Sequence, residues 1–390
     1  MLQTRRITTM GGDKFKDDFS VDFDGTNDYI EANFRPDYIH TNATMGMWVK
    51  MGDFTSEQML GSHGGKRWYM GFNGTKATIG VADANNVSSG ITISPTPKSG
   101  EWLHYVLTAV DGTATVYING IAQGTLSYTQ SSTTNPSEDS DNNFLIGARQ
   151  NSDANAVSTQ MNCKISELFQ YDKGLTASEV KTLYNGREPY NHKEGICSSN
   201  LKAWWRMGDG TFDTKNTTDS DAGIICDEVN VGLGSDVLGG KGDMSDESYW
   251  TKTGSASDKV VFADGVCKFL ASDNGTDNMT IKKTGILTVG KVYRLDLDIT
   301  ATEHTSTTIL INESNPYVNI NNVGEGVGSY TVYWRATQTY LDLYRWYIDG
   351  TQDTSKYIHF DNVVVREVIG DNHGIMKSME ENDIEGDGAN

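Results

Sequence analysis

The sequence predicts an all-β chain: two antiparallel β-sandwich domains with one short helix closing the first. Three observations predict it. Gly is abundant at 41 and Pro scarce at 6, amid many Asn, Asp, Ser and Thr residues, which suits short strands joined by tight turns. Period-2 alternation of apolar and polar residues recurs along the chain, whereas a helical pattern convinces only once. The 390 residues include 8 Trp, 18 Tyr and 12 Phe, enough aromatic volume for two cores.

The elements follow in order. Residues 1–17 read as a flexible or docking arm, and a first sandwich is expected over 18–190. Met45, Met47, Val49 and Met51 alternate with Gly46, Trp48 and Lys50 in one strand. Trp102–Val110 is apolar on both faces and reads as a central strand. Asp111-Gly112 then turns the chain into the return strand Thr113–Ile118, which ends at a second turn pair, Asn119-Gly120. Phe144–Ala148 and Lys164–Tyr171 are further strands. Thr176-Ala-Ser-Glu179 is a capping box that opens the helix. Val180, Leu183 and Tyr184 share one of its faces, and Gly186 sits where it stops. Such a helix seals one edge of a sandwich.

Residues 191–244 break the pattern and read as a long connection, with Trp204 and Trp205 as its packing anchors. A second sandwich is expected over 245–369. It holds a hairpin across Asp264-Gly265 and a strand with Tyr293, Leu295, Leu297 and Ile299 on one face and Arg294, Asp296 and Asp298 on the other. Residues 370–390 read as an acidic tail. No long internal repeat is evident.

Charge narrows the function. With 52 Asp and Glu against 32 Lys and Arg, the formal net charge is −20, which repels phosphate backbones and argues against nucleic acid as a partner. The first residues have no apolar core of the signal-peptide kind, and no stretch has the length and apolarity of a membrane span. A soluble chain made in a cytoplasm, without membrane insertion, is expected. The 4 Cys form neither a C-x-x-C pair nor a zinc spacing, and no disulfide framework is apparent, although a Cys197–Cys226 bridge stays open.

Catalytic patterns are missing. There is no nucleophile elbow, no H-E-x-x-H and no phosphate-binding loop. Asp296 and Asp298 share a strand face, but so does any i, i+2 pair, and an exposed sheet face accounts for them. His63 and His104 read as structural. No enzyme is expected. Sugar binding needs aromatic rings with polar neighbours. The candidates are Trp68 and Tyr69 in the first half, and Tyr340, Tyr344 and Trp346 on one face of a strand in the second. Facing out, the latter three form a binding strip; facing in, they are core.

Four segments of the first half, SVDFDGTNDYIE, MGMWVKM, WLHYVLTAVDGTATVYING and FLIGARQ followed by KISELFQYDKGLTASEVKTLYNG, resemble the laminin-G-like, concanavalin-A-like jelly-roll family over about residues 18–190. The Leu-Thr-Ala-Ser-Glu helix followed by Leu-Tyr-Asn-Gly is the most specific piece. The resemblance implies one calcium ion at the sandwich rim, held by Asp side chains and loop carbonyls. The loop Ser137–Asn143, with Glu138, Asp139 and Asp141, is the candidate, against the alternative of a solvated acidic turn. The family's laminarinase-type enzymes carry a Glu-x-Asp-x-x-Glu run that this chain lacks. About residues 245–369 resemble a carbohydrate-binding-module sandwich of the galactose-binding-like kind, on the closing YIHFDNVVVREV.

The pairing of these modules, with LKAWWRMGDG and HGIMKSMEENDI, is similar to virion proteins of marine tailed phages. That resemblance implies a structural protein on the particle exterior, as capsid decoration or fibre. Its partners would be other virion proteins in an oligomer or symmetric array, and host-surface polysaccharide. The alternatives are a secreted bacterial glycan-binding adhesin and a glycoside hydrolase or depolymerase.

Overall fold

The computed structural model describes residues 15–32, 34, 42–55, 57–63, 68–81, 87–129, 144–150, 157–214, 223–271, 279–303, 307–311, 318–319, 326–347, 357–370, 372–379 and 383–389. Two sheets stack into a first sandwich. One runs from edge to edge as β10 (Ile121–Ser127), β9 (Thr113–Ile118), β8 (Trp102–Val110), β3 (Ala43–Met51), β14 (Asn162–Tyr171), β1 (Ser20–Asp24) and β29 (Ile384–Glu385), with β15 (Leu201–Trp205) also paired to β14. The other runs as β16 (Ile224–Ile225), β28 (Gly374–Lys377), β2 (Tyr29–Ala32), β11 (Phe144–Ile146), β4 (Glu57–His63), β5 (Trp68–Asn73), β6 (Lys76–Val81) and β7 (Val87–Thr92). A two-stranded ribbon, β12 (Arg149–Gln150) with β13 (Val157–Ser158), lies beside them.

The second sandwich has one sheet of β19 (Val260–Ala263), β20 (Val266–Phe269), β27 (Ile358–Ile369), β22 (Val292–Thr302) and β25 (Gly328–Arg335), with β17 (Gly232–Asp236) on β27. Its other sheet runs as β18 (Thr251–Thr253), β21 (Thr280–Thr284), β26 (Tyr340–Tyr347), β23 (Thr307–Ile311) and β24 (Val318–Asn319). The all-β, sandwich-built fold class expected from the sequence is what the structure has.

The local signals explain the elements. Asp111, Gly112, Asn119 and Gly120 all have positive φ, as two-residue hairpin turns matching the strand twist require. The helix α1 (Ala177–Tyr184) carries the complete capping box between Thr176 and Glu179, and Asn185 ends it in the left-handed conformation. Strand β8 is apolar on both faces because both are covered. Tyr105 and Leu107 enter the core between the sheets, while Val106 joins Phe169, Val180, Leu183 and Trp204 in a second apolar layer under the helix. His104 belongs to that layer, with its ring 4.9 Å from Trp48 and 5.9 Å from Tyr184. It is structural, as expected; the side chain of His63 lies outside the described residues.

The path of the chain differs from the expected order. The segment 191–244 is not only a connection. Its β15 hydrogen-bonds to β14, and Trp205 sinks fully into the first core, stacked on Phe144 at 5.8 Å. Its β16 belongs to the second sheet and its β17 to the second sandwich. Nor is 370–390 a free polar tail. Residues Gly374–Lys377 pair with β2 and β16, and Ile384–Glu385 pair with β1. Met376 and Ile384 are buried in the first core. The chain therefore leaves the first sandwich after β16, builds the second, and returns to complete both sheets of the first. The acidic composition of the tail hid two apolar anchors spaced for strands. Residues Phe15–Phe19, at the end of the expected arm, are packed too: Phe15 lies 5.7 Å from Trp204 and Asp17 is fully buried. All four cysteines are free, so no Cys197–Cys226 bridge forms.

Ending the chain at Gly370 should lower the Tm by roughly 10 °C or more, since both sheets lose a strand; a dispensable tail would leave calorimetric unfolding unchanged. Acid should also destabilise the fold through His104, whose pKa burial depresses to about 3. Its folded pKa lies below the unfolded value near 6.5, so its contribution is complete above that pH and is lost as pH falls toward the folded value. A His104→Leu variant should unfold in urea with a flatter stability profile between about pH 6.5 and pH 4, by on the order of 1–3 kcal/mol.

Candidate functional site

The second sheet of the first sandwich has one face on the core and one turned outward. Alternation along β5 puts Trp68, Met70 and Phe72 into the core and turns Tyr69 and Asn73 out. The register builds rows across the outer face. Glu57 pairs with Asn73, Asn73 with Lys76, and Lys76 with Thr92. The next row is Gly71, Thr78 and Gly90, and the next begins Ser62, Tyr69, Gly80. The middle row is almost without side chains, and there the face sinks into an open trough of about 650 Å³ lined by Glu57, Tyr69, Asn73, Gly74, Thr75, Lys76, Thr78 and Gly90.

Two glycines shape it. A Cβ on Gly80 would come within 2.2 Å of the Tyr69 ring, so only a glycine lets that ring settle against β6. A Cβ on Gly90 would meet nothing nearer than the Lys76 side chain at 3.7 Å, which leaves the trough floor open. The Asn73-Gly74 turn, with Gly74 at φ +56, sets the amide of Asn73 at one end. Glu57 and Lys76 stand two strands apart on the same row, about 10 Å at normal strand spacing, with Asn73 between them. The trough thus offers a carboxylate, an ammonium, an amide and hydroxyls at fixed spacing around a small-residue floor. These groups suit a neutral polyhydroxylated ligand held by hydrogen bonds.

The predicted sugar-stacking residues divide. Trp68 is not a surface platform: it is 0 % exposed, between the sheets. Two adjacent aromatics in a sequence carry no sign of which one faces out. Tyr69 does line the trough, but at 6 % exposure, wedged between Gly80 and the Arg149 guanidinium 5.6 Å from its ring centre, it presents an edge and not a face. In the second sandwich Leu341 and Leu343 fill the core, and Tyr340 and Tyr344 of the candidate row are half-buried on the opposite face. The Lys282 ammonium, 3.3 Å from the centre of the Tyr340 ring, covers that ring. The side chain of Trp346 lies outside the described residues. So do Glu138, Asp139 and Asp141, the calcium candidates. Among the described residues no three His, Cys, Asp or Glu side chains converge as metal ligands.

Asp296 and Asp298 are not poised as an acid pair. Arg294 Nε and Nη2 donate to Asp296 at 2.9 and 2.7 Å, and Thr331 Oγ1 adds a third bond at 2.6 Å. Ser329 Oγ and Asn362 Nδ2 donate to Asp298 at 2.6 and 2.8 Å and hold its carboxyl below the usual range, as a carboxylate. Both are satisfied members of an outer sheet face.

The trough residues Glu57, Lys76, Thr78 and Gly90 escaped sequence reading, which assigns no strand between 52 and 101. The available signal was the alternation Lys76, Thr78, Gly80 against Ala77, Ile79 after an Asn-Gly turn. Replacing Trp68 with Ala should cost about 3–5 kcal/mol in urea unfolding, as for a filled core position, whereas Asn73→Ala on the trough rim should cost under about 1 kcal/mol.

Residues 24–181 match the concanavalin A-like lectin/glucanases superfamily, a span running from the end of β1 into the closing helix. No curated protein matches the chain. Among solved structures, a native heptameric SAP-like pentraxin from Limulus polyphemus is 16% identical with a TM-score of 0.35, over 43% of this chain and 82% of that one. A Bacteroides ovatus protein provisionally described as carbohydrate-binding is 15% identical with a TM-score of 0.41, over 55% of this chain and 56% of that one. The CBM40 of the Ruminococcus gnavus IT-sialidase, bound to α2,3-sialyllactose, is 12% identical with a TM-score of 0.35, over 42% of this chain and 96% of that one. These likenesses are of partial shape. The match over 24–181 places the lectin-like jelly roll on the residues that build the trough.

Proposed function

We propose that the chain binds glycans without transforming them, and that the trough over β4 to β7 is the site. The observation that carries this reading is the open, polar hollow with a Thr78–Gly90 floor, rimmed by Glu57, Asn73 and Lys76, on a lectin-like jelly roll. Recognition rests on hydrogen bonds to sugar hydroxyls, with the edge of Tyr69 as the apolar contact. Each site is shallow and weak alone, and many copies on one surface supply avidity.

The setting we infer is the exterior of a tailed-phage particle, where the chain is a decoration or appendage component. Support for this comes from the sequence resemblance of LKAWWRMGDG and HGIMKSMEENDI to virion proteins. In this chain those phrases supply β15 and β28, which complete the jelly roll. Mass spectrometry of gradient-banded particles tests the setting, and absence of the chain from them would move a secreted adhesin to the front.

Binding itself is tested on an array of bacterial surface polysaccharides. A hit should weaken at least about tenfold in Asn73→Ala and in Lys76→Ala, each of which removes hydrogen-bonding groups from the rim. Unchanged binding in both variants would take the site away from the trough. New reducing ends released from a bound polysaccharide would overturn the non-catalytic reading.

A further inference from the structure

A thiol, an ammonium and a carboxylate meet on the outer side of the first sheet, where the chain leaves β14 for α1. Lys173 Nζ lies 3.1 Å from Cys197 Sγ and donates to Glu179 Oε1 at 2.5 Å. The Cys197 thiol donates to the same carboxylate oxygen at 3.2 Å. Bonds to the backbone set this meeting. Thr44 Oγ1 donates to the Lys173 carbonyl at 2.8 Å and accepts the Leu175 N–H at 2.9 Å. One residue earlier, the Asp172 N–H donates to the Asn200 carbonyl at 2.9 Å, and Asn200 Nδ2 donates to Asp172 Oδ1 at 2.8 Å. The Ile196 N–H, beside Cys197, donates to the Tyr190 hydroxyl at 2.6 Å. Glu179 is the capping-box residue of α1, and its Oε2 accepts the Thr176 N–H at 2.8 Å. Each of the three side chains therefore hangs from a fixed piece of backbone.

The site is also within reach of solvent. Cys163, Cys226 and Cys267 are buried, whereas Cys197 is half-buried and the Lys173 side chain is 38 % exposed. A small oxidant that arrives at this sulfur finds an amine already beside it.

We propose that Cys197 and Lys173 form an oxidative cross-linking site, at which a peroxide turns their contact into a covalent S–N bond. In the first step the Cys197 thiolate, its proton given up to solvent, attacks a peroxide oxygen. The S–O bond forms, the O–O bond breaks and the sulfur is oxidised by two electrons. The departing hydroxide takes a proton from the Lys173 ammonium. A sulfenic acid then stands beside a neutral amine. In the second step Lys173 Nζ attacks the sulfur, the S–N bond forms and the S–O bond breaks. The leaving hydroxide takes a proton from the nitrogen and departs as water. One thiol, one ammonium and one hydrogen peroxide thus give a sulfenamide, two waters and a proton, in the way that sulfenic acids condense with nitrogen. Burial raises the Cys197 thiol against the pull of the Lys173 ammonium, so the thiolate is the minor form at neutral pH and its supply limits the first step. The bond spans 24 residues of chain and ties the lead into α1 to the segment that precedes β15. This inference is independent of glycan binding.

Peptide mapping of the whole chain after treatment with dilute hydrogen peroxide at about pH 8 tests it. A branched peptide joining Lys173 to Cys197 should appear, about 2 Da lighter than the sum of its two parts, and dithiothreitol should release it. Trypsin should no longer cut after Lys173. Lys173→Arg keeps a cation beside Glu179 but lacks the amine; it should give no branch and instead gain about 16 Da or more at Cys197. Cys197→Ser should give neither product. Unfolding the chain in urea before adding peroxide should abolish the branch, since the contact is a property of the fold. Oxygen added at Cys197 of the wild-type chain without a branch, a disulfide-linked pair of chains, or a Cys197 left unmodified would each overturn the proposal. So would a branch that persists in Lys173→Arg.

Discussion

The pairing of β2 with β28 is the constraint on which the rest of this structure depends. Four residues, Gly374–Lys377, bond on one side to Tyr29–Ala32 and on the other to Ile224–Ile225. They reach that place only after the whole second sandwich has been built. Both ends of the second sandwich are therefore anchored at adjacent strands of one sheet, and it is held by two crossings and not one. A small apolar cluster fills the junction, with Ile224 and Cys226 against Val292 and Val368. Arg335 Nη2 donates to the His373 carbonyl at 2.6 Å across the same junction. The entropy of closing so long a loop grows only with the logarithm of its length, so a modest set of contacts can offset it.

Closing the roll this way also decides which outer faces are covered. The outer face of the first sheet lies under α1, Trp204 and the Phe15 segment, which is why β8 and β14 are buried on both sides. The outer face of the second sheet is covered over β4 by the β12–β13 ribbon, where Ser62 bonds the Ala148 carbonyl and Arg149 lies on Tyr69, and it is left open at Glu57, Asn73, Lys76 and Gly90. Glycine and threonine stand where a covered face would carry large apolar groups, and the Tyr69 ring, tucked against Gly80, is kept from filling the space. An uncovered sheet face that is polar and hollow is a stable surface in water; an apolar one would associate. The asymmetry between the two faces thus separates the structural side of the roll from the side available to a ligand.

Local signals were legible in the sequence and long-range ones were not. The turns at Asp111-Gly112 and Asn119-Gly120 and the capping box at Thr176 are written in adjacent residues, and each forms as read. The two faces of β26 were readable from alternation but not which one points inward; the structure turns Leu341 and Leu343 in and Tyr340 and Tyr344 out. The return of residues 374–385 was hidden because a two- or four-residue strand has too few positions to show a period, and its acidic neighbours dominate the composition. Trp68 and Tyr69 show a different limit. Their alternation was visible, but its phase is fixed only by the core that β4 and β6 help to enclose.

Buried carboxylates fasten the loops of this chain to its strands. Asp213 is buried, yet it accepts the backbone N–H groups of Gly208, Gly210 and Cys226 at 2.8, 3.0 and 2.6 Å. Asp227 accepts from Trp204 and Val229 backbone N–H groups and from Asn372 Nδ2. Burial outweighs those bonds and raises both pKa values to about 6, still low enough for the charged form to dominate at neutral pH. Asp213 staples Gly208 and Gly210 to Cys226 within one segment, and Asp227 staples Trp204 and Val229 to Asn372. Asp17 accepts the Ser166 hydroxyl and the Ala389 backbone N–H, and so ties the end of the chain to β14. The same chemical group is thus a permanent fastening where backbone donors surround it.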